Sequence, residues 1–206
     1  MNNIYVTSKE IKEDLYKKEY TVSKDETLNY ILFINSSGNY NIDLKFYLEN
    51  EGAVGYIYIA EKGIQDQKVN LSVEVIHKKQ NTQAKIFVRR VMYNDSSSFV
   101  NGIIKIEKGA QNSNDYFDEK TLLLGDRVVS KVVPSLEIIP DNVKASHSSS
   151  VSMPNLKEIF YLESRGIDQK SAINLISHGF LVSKIFNMNN SNVKEKALNE
   201  IEEDFI

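Results

Sequence analysis

The 206-residue sequence contains no cysteine. That absence excludes a disulfide-stapled secreted fold, a thiolate zinc site, a catalytic cysteine and an iron–sulfur cluster ligated by the chain's own sulfur. Only His, Asp and Glu could bind metal, and the 3 histidines show none of the i, i+4 spacing of a helical metal site. No stretch approaches the roughly 18 uncharged apolar residues of a membrane span, and the opening MNNIYVTSKEIKEDLYKKEY lacks the apolar segment of a secretory signal. A soluble, cytoplasmic protein without a membrane partner is the expectation. Nucleic acid is not an expected partner, because the net charge is −3 and Arg89-Arg90 is too small a basic footprint for phosphate binding. No GxxxxGK[ST] loop occurs, so nucleotide hydrolysis by this chain has no phosphate cradle.

What is present, from about Thr21 to about Val151, is a succession of short runs rich in Ile, Val, Tyr and Phe, broken by Gly, Asn, Ser and Asp. They read as strands and turns. Leu44 to Leu48, Gly55 to Ile59, Leu71 to Val75, Ile86 to Val88, Gly102 to Ile106, Leu122 to Leu124 and Ser135 to Ile138 recur every 11–18 residues or so. Such spacing suits an antiparallel sandwich or jelly roll, or a parallel β-helix in which each coil adds a rung. Hairpin signals are thin: Asn101-Gly102 is the one candidate and it lies inside a β run. Periodicity therefore leans to a solenoid. Gly102 and Gly109 read as bends.

The character changes at Pro154. In PNLKEIFYLESRG, Leu156, Ile159 and Phe160 share one helical face, and Gly166 supplies a left-handed terminator. Asp168 can cap a second helix with Ala172, Ile173, Leu175 and Ile176 inward and Gly179 at its end. A third pattern carries Val193, Ala197, Leu198 and Ile201. This quarter is too small to fold alone and must pack on the β part or on a partner. The division expected is 1–20 as an N-terminal extension, 21–152 as the β-helix core and 153–206 as a C-terminal helical domain.

Five segments carry a further signal: FVNGIIKIEKGAQ (99–111), LLL (122–124), PSLEI (134–138), DNVKASH (141–147) and IFYLESRGI (159–167). In wording and order they closely resemble the SufB/SufD family, scaffold subunits of the SUF iron–sulfur cluster assembly machinery. The resemblance covers roughly residues 73–181. It implies a mainly β protein, a right-handed parallel β-helix followed by a small C-terminal α-helical domain. It also implies that two such β-helices associate through their edges, and that each helical domain holds one SufC, an ABC-type ATPase whose dimerisation twists the scaffold pair. By that likeness the chain is not an enzyme but a SufD-like scaffold, recruiting a SufC-like ATPase and pairing with a SufB-like subunit or as a homodimer. No cofactor would be bound stably by the chain alone; a transient iron–sulfur cluster would form in the complex. Full-length members usually have a longer N-terminal region and more coils.

The lack of cysteine favours SufD over SufB, and the histidine of a (C/A)SHG-type segment falls on His147. The resemblance makes it the cluster-assembly interface residue and a metal ligand. Ala145 stands where the family commonly has cysteine and Ser148 where it has glycine, which removes a soft ligand and alters the backbone demand. Taken alone, His147 reads as a turn residue capped by Ser146 and Ser148, and the Ser148–Ser150 run as a solvated connection. Tyr161, Leu162, Arg165 and Gly166 are the residues expected to dock SufC, with Phe160 packed in the helix core. His77 is placed on a strand edge, Glu137 outward, and Asp141 in a turn after Pro140. The competing class is a carbohydrate-binding protein or enzyme on a β-solenoid or jelly roll. It would need paired carboxylates about 5–9.5 Å apart beside aromatics such as Tyr56, Tyr58 and Tyr93. A self-associating structural protein is the third class.

Overall fold

Strands that alternate apolar and polar side chains bury one face, while strands apolar at nearly every position need cover on both. This chain contains both kinds. The computed structural model describes residues 2–12, 14–188 and 192–205. Its strands are β1 (Asn2–Thr7), β2 (Tyr16–Val22), β3 (Thr27–Ile34), β4 (Asn39–Leu48), β5 (Val54–Gly63), β6 (Lys68–His77), β7 (Gln83–Met92), β8 (Ser97–Ile106), β9 (Asn114–Leu123), β10 (Val129–Ile138) and β11 (Lys144–Ser152). Each strand pairs in parallel with the strand two places on, giving a six-stranded sheet β1-β3-β5-β7-β9-β11 and a five-stranded sheet β10-β8-β6-β4-β2. The result is a β-solenoid of about five coils. Among the described residues no strands adjacent in sequence pair as a hairpin, which removes the antiparallel sandwich and jelly roll. The spacing of the apolar runs is that of half a coil: Val54, Gln83 and Asn114, partners in one sheet, lie about 30 residues apart.

Residues set apart in the sequence as an N-terminal extension carry β1 and the start of β2, which pair with β3 and β4. Lys17, Lys18 and Glu19 lie exposed on β2, so the segment's polarity reflects its place on an open edge of the five-stranded sheet. The Ser148–Ser150 run belongs to β11, not to a solvated connection. Ser148 donates to Asp118 Oδ1 at 2.8 Å and Ser149 to Glu119 Oε2 at 2.9 Å, so parallel register gives these hydroxyls partners one coil below.

Left-handed residues turn the chain at the corners, with Gly52, Asn81 and Asn112 at one and Gly38, Gln65 and Asn94 at the other. Asn adopts this conformation more readily than most residues because its short amide bonds locally. Backbone bonds between coils continue through the corner, from Asn81 N–H to Gln111 O at 3.0 Å and from Asn112 N–H to Asn142 O at 2.7 Å. Gly102 is no bend. It sits within β8, and a Cβ there would come within 2.5 Å of the buried Phe117 ring, so glycine makes room for an aromatic spanning the core.

The five-stranded sheet leaves its outer face to solvent, as the alternating burial of β4 shows. The outer face of the six-stranded sheet is covered by α2 (Gln169–Val182) and α3 (Asn192–Glu203). Leu181, Val182, Ile185, Met188, Ala197 and Ile201 pack there on Ile31, Phe33, Tyr58, Ala60, Val91 and Leu122. That cover explains why Leu28 to Ile34 is buried without interruption. A shorter helix, α1 (Leu156–Glu163), rests on α2. Gly166 adopts φ +87 after α1, and Asp168 caps α2 by accepting from Ser171 N–H at 3.1 Å. Helix α2 runs past the expected stop at Gly179 to Val182 and leaves Leu175 exposed. Its inward stripe shifts to Ala172, Ser177, Leu181 and Val182, because the sheet meets its later turns. Among the described residues no helix is long and apolar enough to cross a membrane.

Candidate functional site

Alternation along each strand and parallel register between strands stack inward side chains into columns along the solenoid axis. One column reads Tyr30, Ile57, Ile86, Phe117, His147; the next Leu32, Ile59, Val88, Glu119, Ser149; the third Ile34, Glu61, Arg90, Thr121, Val151. The first coils are apolar and the last are largely polar. His147 thus ends an apolar column at the open end of the solenoid, where it is exposed, while its neighbours Val143 and Ala145 still pack on the core.

Beneath this end lies a buried ionic network. Arg90 is wholly buried; its Nε and Nη2 donate to Glu119 Oε1 at 3.1 and 2.9 Å, its Nη1 to the Ser98 carbonyl at 3.2 Å and its Nη2 to Ser130 Oγ at 2.9 Å. Thr121 also donates to Glu119 Oε1, and Ser98 Oγ donates to Glu61 Oε2 at 2.8 Å. Glu61 Oε1 has no partner among the described residues. The guanidinium therefore binds one buried carboxylate, Glu119, and acts on the second, Glu61, through its charge alone. Burial pushes Glu61 up to about 7, against the pull of Arg90 and Ser98. Through Ser130 and Ser149 the network holds both terminal strands, β10 and β11.

Two further clusters flank it. On the outer face of the six-stranded sheet, Arg89 pairs with Asp118, which also accepts from Ser148. Burial acts to raise the Asp118 carboxyl, but these hydrogen bonds outweigh it and hold the group below its usual range. Inside, His77 lies fully buried between Thr82 Oγ1, 2.8 Å from Nδ1, and Asp115 Oδ2, 2.8 Å from Nε2. Its expected place on a strand edge is corrected: β6 is an inner strand of its sheet, and His77 takes an inward position at its end. Burial raises Asp115 despite the His77 hydrogen bond.

The free edges of β10 and β11 are unpaired among the described residues, and β10 with the residue after it carries most of the exposed apolar side chains there. Val129 and Ile139 are 61% and 63% exposed, and Val133, Ile138 and Val151 are exposed too. Glu137 points outward and pairs with Lys105 Nζ at 2.9 Å; Asp141 is exposed. Among the described residues no three His, Asp or Glu side chains converge to hold a metal ion.

The other sequence-predicted group sits on and just after α1. Tyr161 is exposed with Arg165 stacked over it, Cζ 5.4 Å from the ring centroid; Leu162 is half-buried and Gly166 exposed. Phe160 does not pack in the helix core. It is 71% exposed and Leu156 77%, and in α1 only Ile159 is buried, because this two-turn helix rests chiefly on α2. The sugar-site alternative finds no support at Tyr56 and Tyr58, whose cavity is lined by lysine and asparagine without a carboxylate, while Tyr93 packs beneath the helices. Arg90, Glu119 and Glu61 were missed in the sequence. Their signal is parity: Arg90 falls in step with Ile86, Val88 and Met92, so it had to point inward.

The model of a family described as "SUF system FeS cluster assembly, SufBD core domain" matches residues 7–180. The chain is 28% identical over 179 residues to the iron–sulfur cluster assembly protein SufD of Bacillus subtilis, covering 87% of this chain and 41% of that protein. It is 31% identical over 137 residues to an iron–sulfur cluster assembly SufBD family protein of Staphylococcus epidermidis, and 29% identical over 137 to SufB of Bacillus subtilis. Each of these two alignments covers 65% of this chain and 29% of the relative. The chain thus spans less than half the length of these curated relatives.

Proposed function

The chain belongs to the SufB/SufD family of SUF iron–sulfur cluster assembly proteins and is SufD-like, and from that premise we propose that it acts as a non-catalytic scaffold subunit in the cytoplasm. Its open solenoid end pairs with a SufB-like chain or a second copy, and its helical part recruits a SufC-like ABC ATPase that supplies the hydrolysis. The observation that carries the pairing is the coincidence, at one end, of two strand edges unpaired among the described residues with exposed Val129, Val133, Ile138 and Val151. A second chain adding strands there would extend both sheets at once, and such edges invite pairing. For the ATPase the supporting feature is α1, which turns Leu156, Phe160 and Tyr161 outward beside Arg165.

His147 belongs to the pairing end. Neutral imidazole suits iron, and this chain has no thiolate, so a transient cluster bound there as cargo takes its remaining ligands from the partner. Placing lysines at Val133 and Val151 is expected to weaken pairing at least about tenfold in native mass measurements, because charge on an edge opposes strand addition. His147→Ala is expected to leave pairing intact and slow cluster formation about tenfold. Pairing that survives both lysines defeats the edge as the interface, and cluster formation at the parent rate in His147→Ala complexes defeats the ligand role.

A further inference from the structure

A cavity of about 240 Å³ lies between the outer face of the six-stranded sheet and the turn that follows α2. Its floor is aromatic: Tyr56, Tyr58 and Phe87, with the Tyr58 and Phe87 rings stacked at 5.5 Å between centroids. Its charges are of one sign. Lys85 rises from β7 and Lys184 from the turn, and among the described residues no Asp or Glu lines the space. In a chain with net charge −3, a recess whose described lining carries two cations and no carboxylate is not a sample of the average surface.

The two ammonium groups are also weakly committed. Lys85 makes no ion pair among the described residues, and register places it between Tyr56 and Tyr116 in one outward row. Lys184 approaches Asp118 only to 3.9 Å, and that carboxylate is already engaged by Arg89 and Ser148. Instead, Lys184 Nζ stands 5.1 Å from the centre of the Phe87 ring. Burial pushes the Tyr58 hydroxyl up to about 12, so it stays protonated and able to donate. Flat apolar surface, two cations and a neutral hydroxyl donor are what a ring bearing an acidic group needs.

We propose that this cavity binds a small planar anion, a single ring carrying a carboxylate or phosphate, with the ring against Tyr56, Tyr58 and Phe87 and the charge between Lys85 and Lys184. The volume falls below the range typical of drug-sized ligands, roughly 300–1,000 Å³, which restricts the occupant to one ring and excludes a dinucleotide. The site is independent of the strand edges and of α1, so it stands or falls apart from the scaffold reading.

The test is calorimetric titration of the full chain with phenyl phosphate and benzoate, using cyclohexanecarboxylate as an anion without a flat ring and benzyl alcohol as a ring without charge. Saturable binding of at least one planar anion is expected, about fivefold or more tighter than cyclohexanecarboxylate, with none for the alcohol. The Lys85→Gln/Lys184→Gln variant should bind about tenfold or more weakly at an unchanged melting temperature, and Phe87→Leu should erase the preference for a flat ring. The better of phenyl phosphate and benzoate identifies the head group. Absence of saturable binding by both planar anions, or equal binding by the lysine double variant, overturns the proposal.

Discussion

Arg90→Met is expected to lower the stability of the solenoid by about 3–5 kcal/mol, a large share of what a domain of this size commonly has. The methionine would fill much of the same volume, so the loss comes from charge: Glu119, wholly buried and bonded by two nitrogens of Arg90, would remain without its cation. Denaturant midpoints measure it, and Arg90→Met combined with Glu119→Gln should recover part of the loss by removing the stranded charge. A shift below about 1 kcal/mol would mean that the carboxylates reach water once the guanidinium is gone. The network also predicts a pH trend. Because Glu61 is raised in the fold to about 7 from 4.5, the folded state favours its protonated form. Its contribution is fully present below about pH 4.5 and is lost as pH rises through about 7, on the order of 3 kcal/mol in all. Glu61→Gln should flatten that part of the stability profile, and an unchanged profile would contradict the assignment.

His77→Ala carries the second large effect, about 3 kcal/mol or more. The imidazole joins two coils, with Thr82 on one side and Asp115 on the other, and Thr82 is in turn 2.7 Å from Ser113. Asp115 Oδ1 already lacks a partner among the described residues, so removing His77 takes away the carboxyl's one side-chain partner in the interior. His77→Ala/Asp115→Ala should be more stable than His77→Ala alone. If the double variant is the less stable of the two, Asp115 does not depend on His77.

These residues also mark where the sequence was legible. Solenoid architecture could be read, because apolar runs such as Gly55 to Ile59 and Leu71 to Val75 recur at half-coil distance and hairpin turns are scarce. The helical boundary was plain at Pro154, and Gly166 and Asp168 punctuated the helices by local chemistry alone. Long-range pairing was not legible. Parity within β7 sends Arg89 and Arg90 to opposite faces, but nothing local tells that they meet Asp118 and Glu119 a coil away. Gly102 resembles a bend until register brings Phe117 against it. Ser148–Ser150 resembles a linker until Asp118 and Glu119 lie beneath it. Phe160 has the period of a core residue, yet α1 leans chiefly on α2, so the apolar face stays open. For the candidate site, the SHS segment pointed to His147, whereas its position at the end of an inward column emerges only from the coils stacked below.

The helices that cover the six-stranded sheet bear on how recruitment of the ATPase should be tested. Removing everything after Met153 would strip α2 and α3 from Ile31, Phe33 and Tyr58 and unsettle the solenoid itself. Leu156→Glu with Phe160→Glu is the cleaner change, because both side chains are exposed and α1 is peripheral. The measurement is the native mass of complexes purified after co-expressing the chain with the SufC-like and SufB-like proteins of its own genome. The intact chain is expected to carry both partners, and the α1 double variant to keep the scaffold partner while losing the ATPase. An intact chain that carries no ATPase, or a double variant that carries it undiminished, would contradict the account.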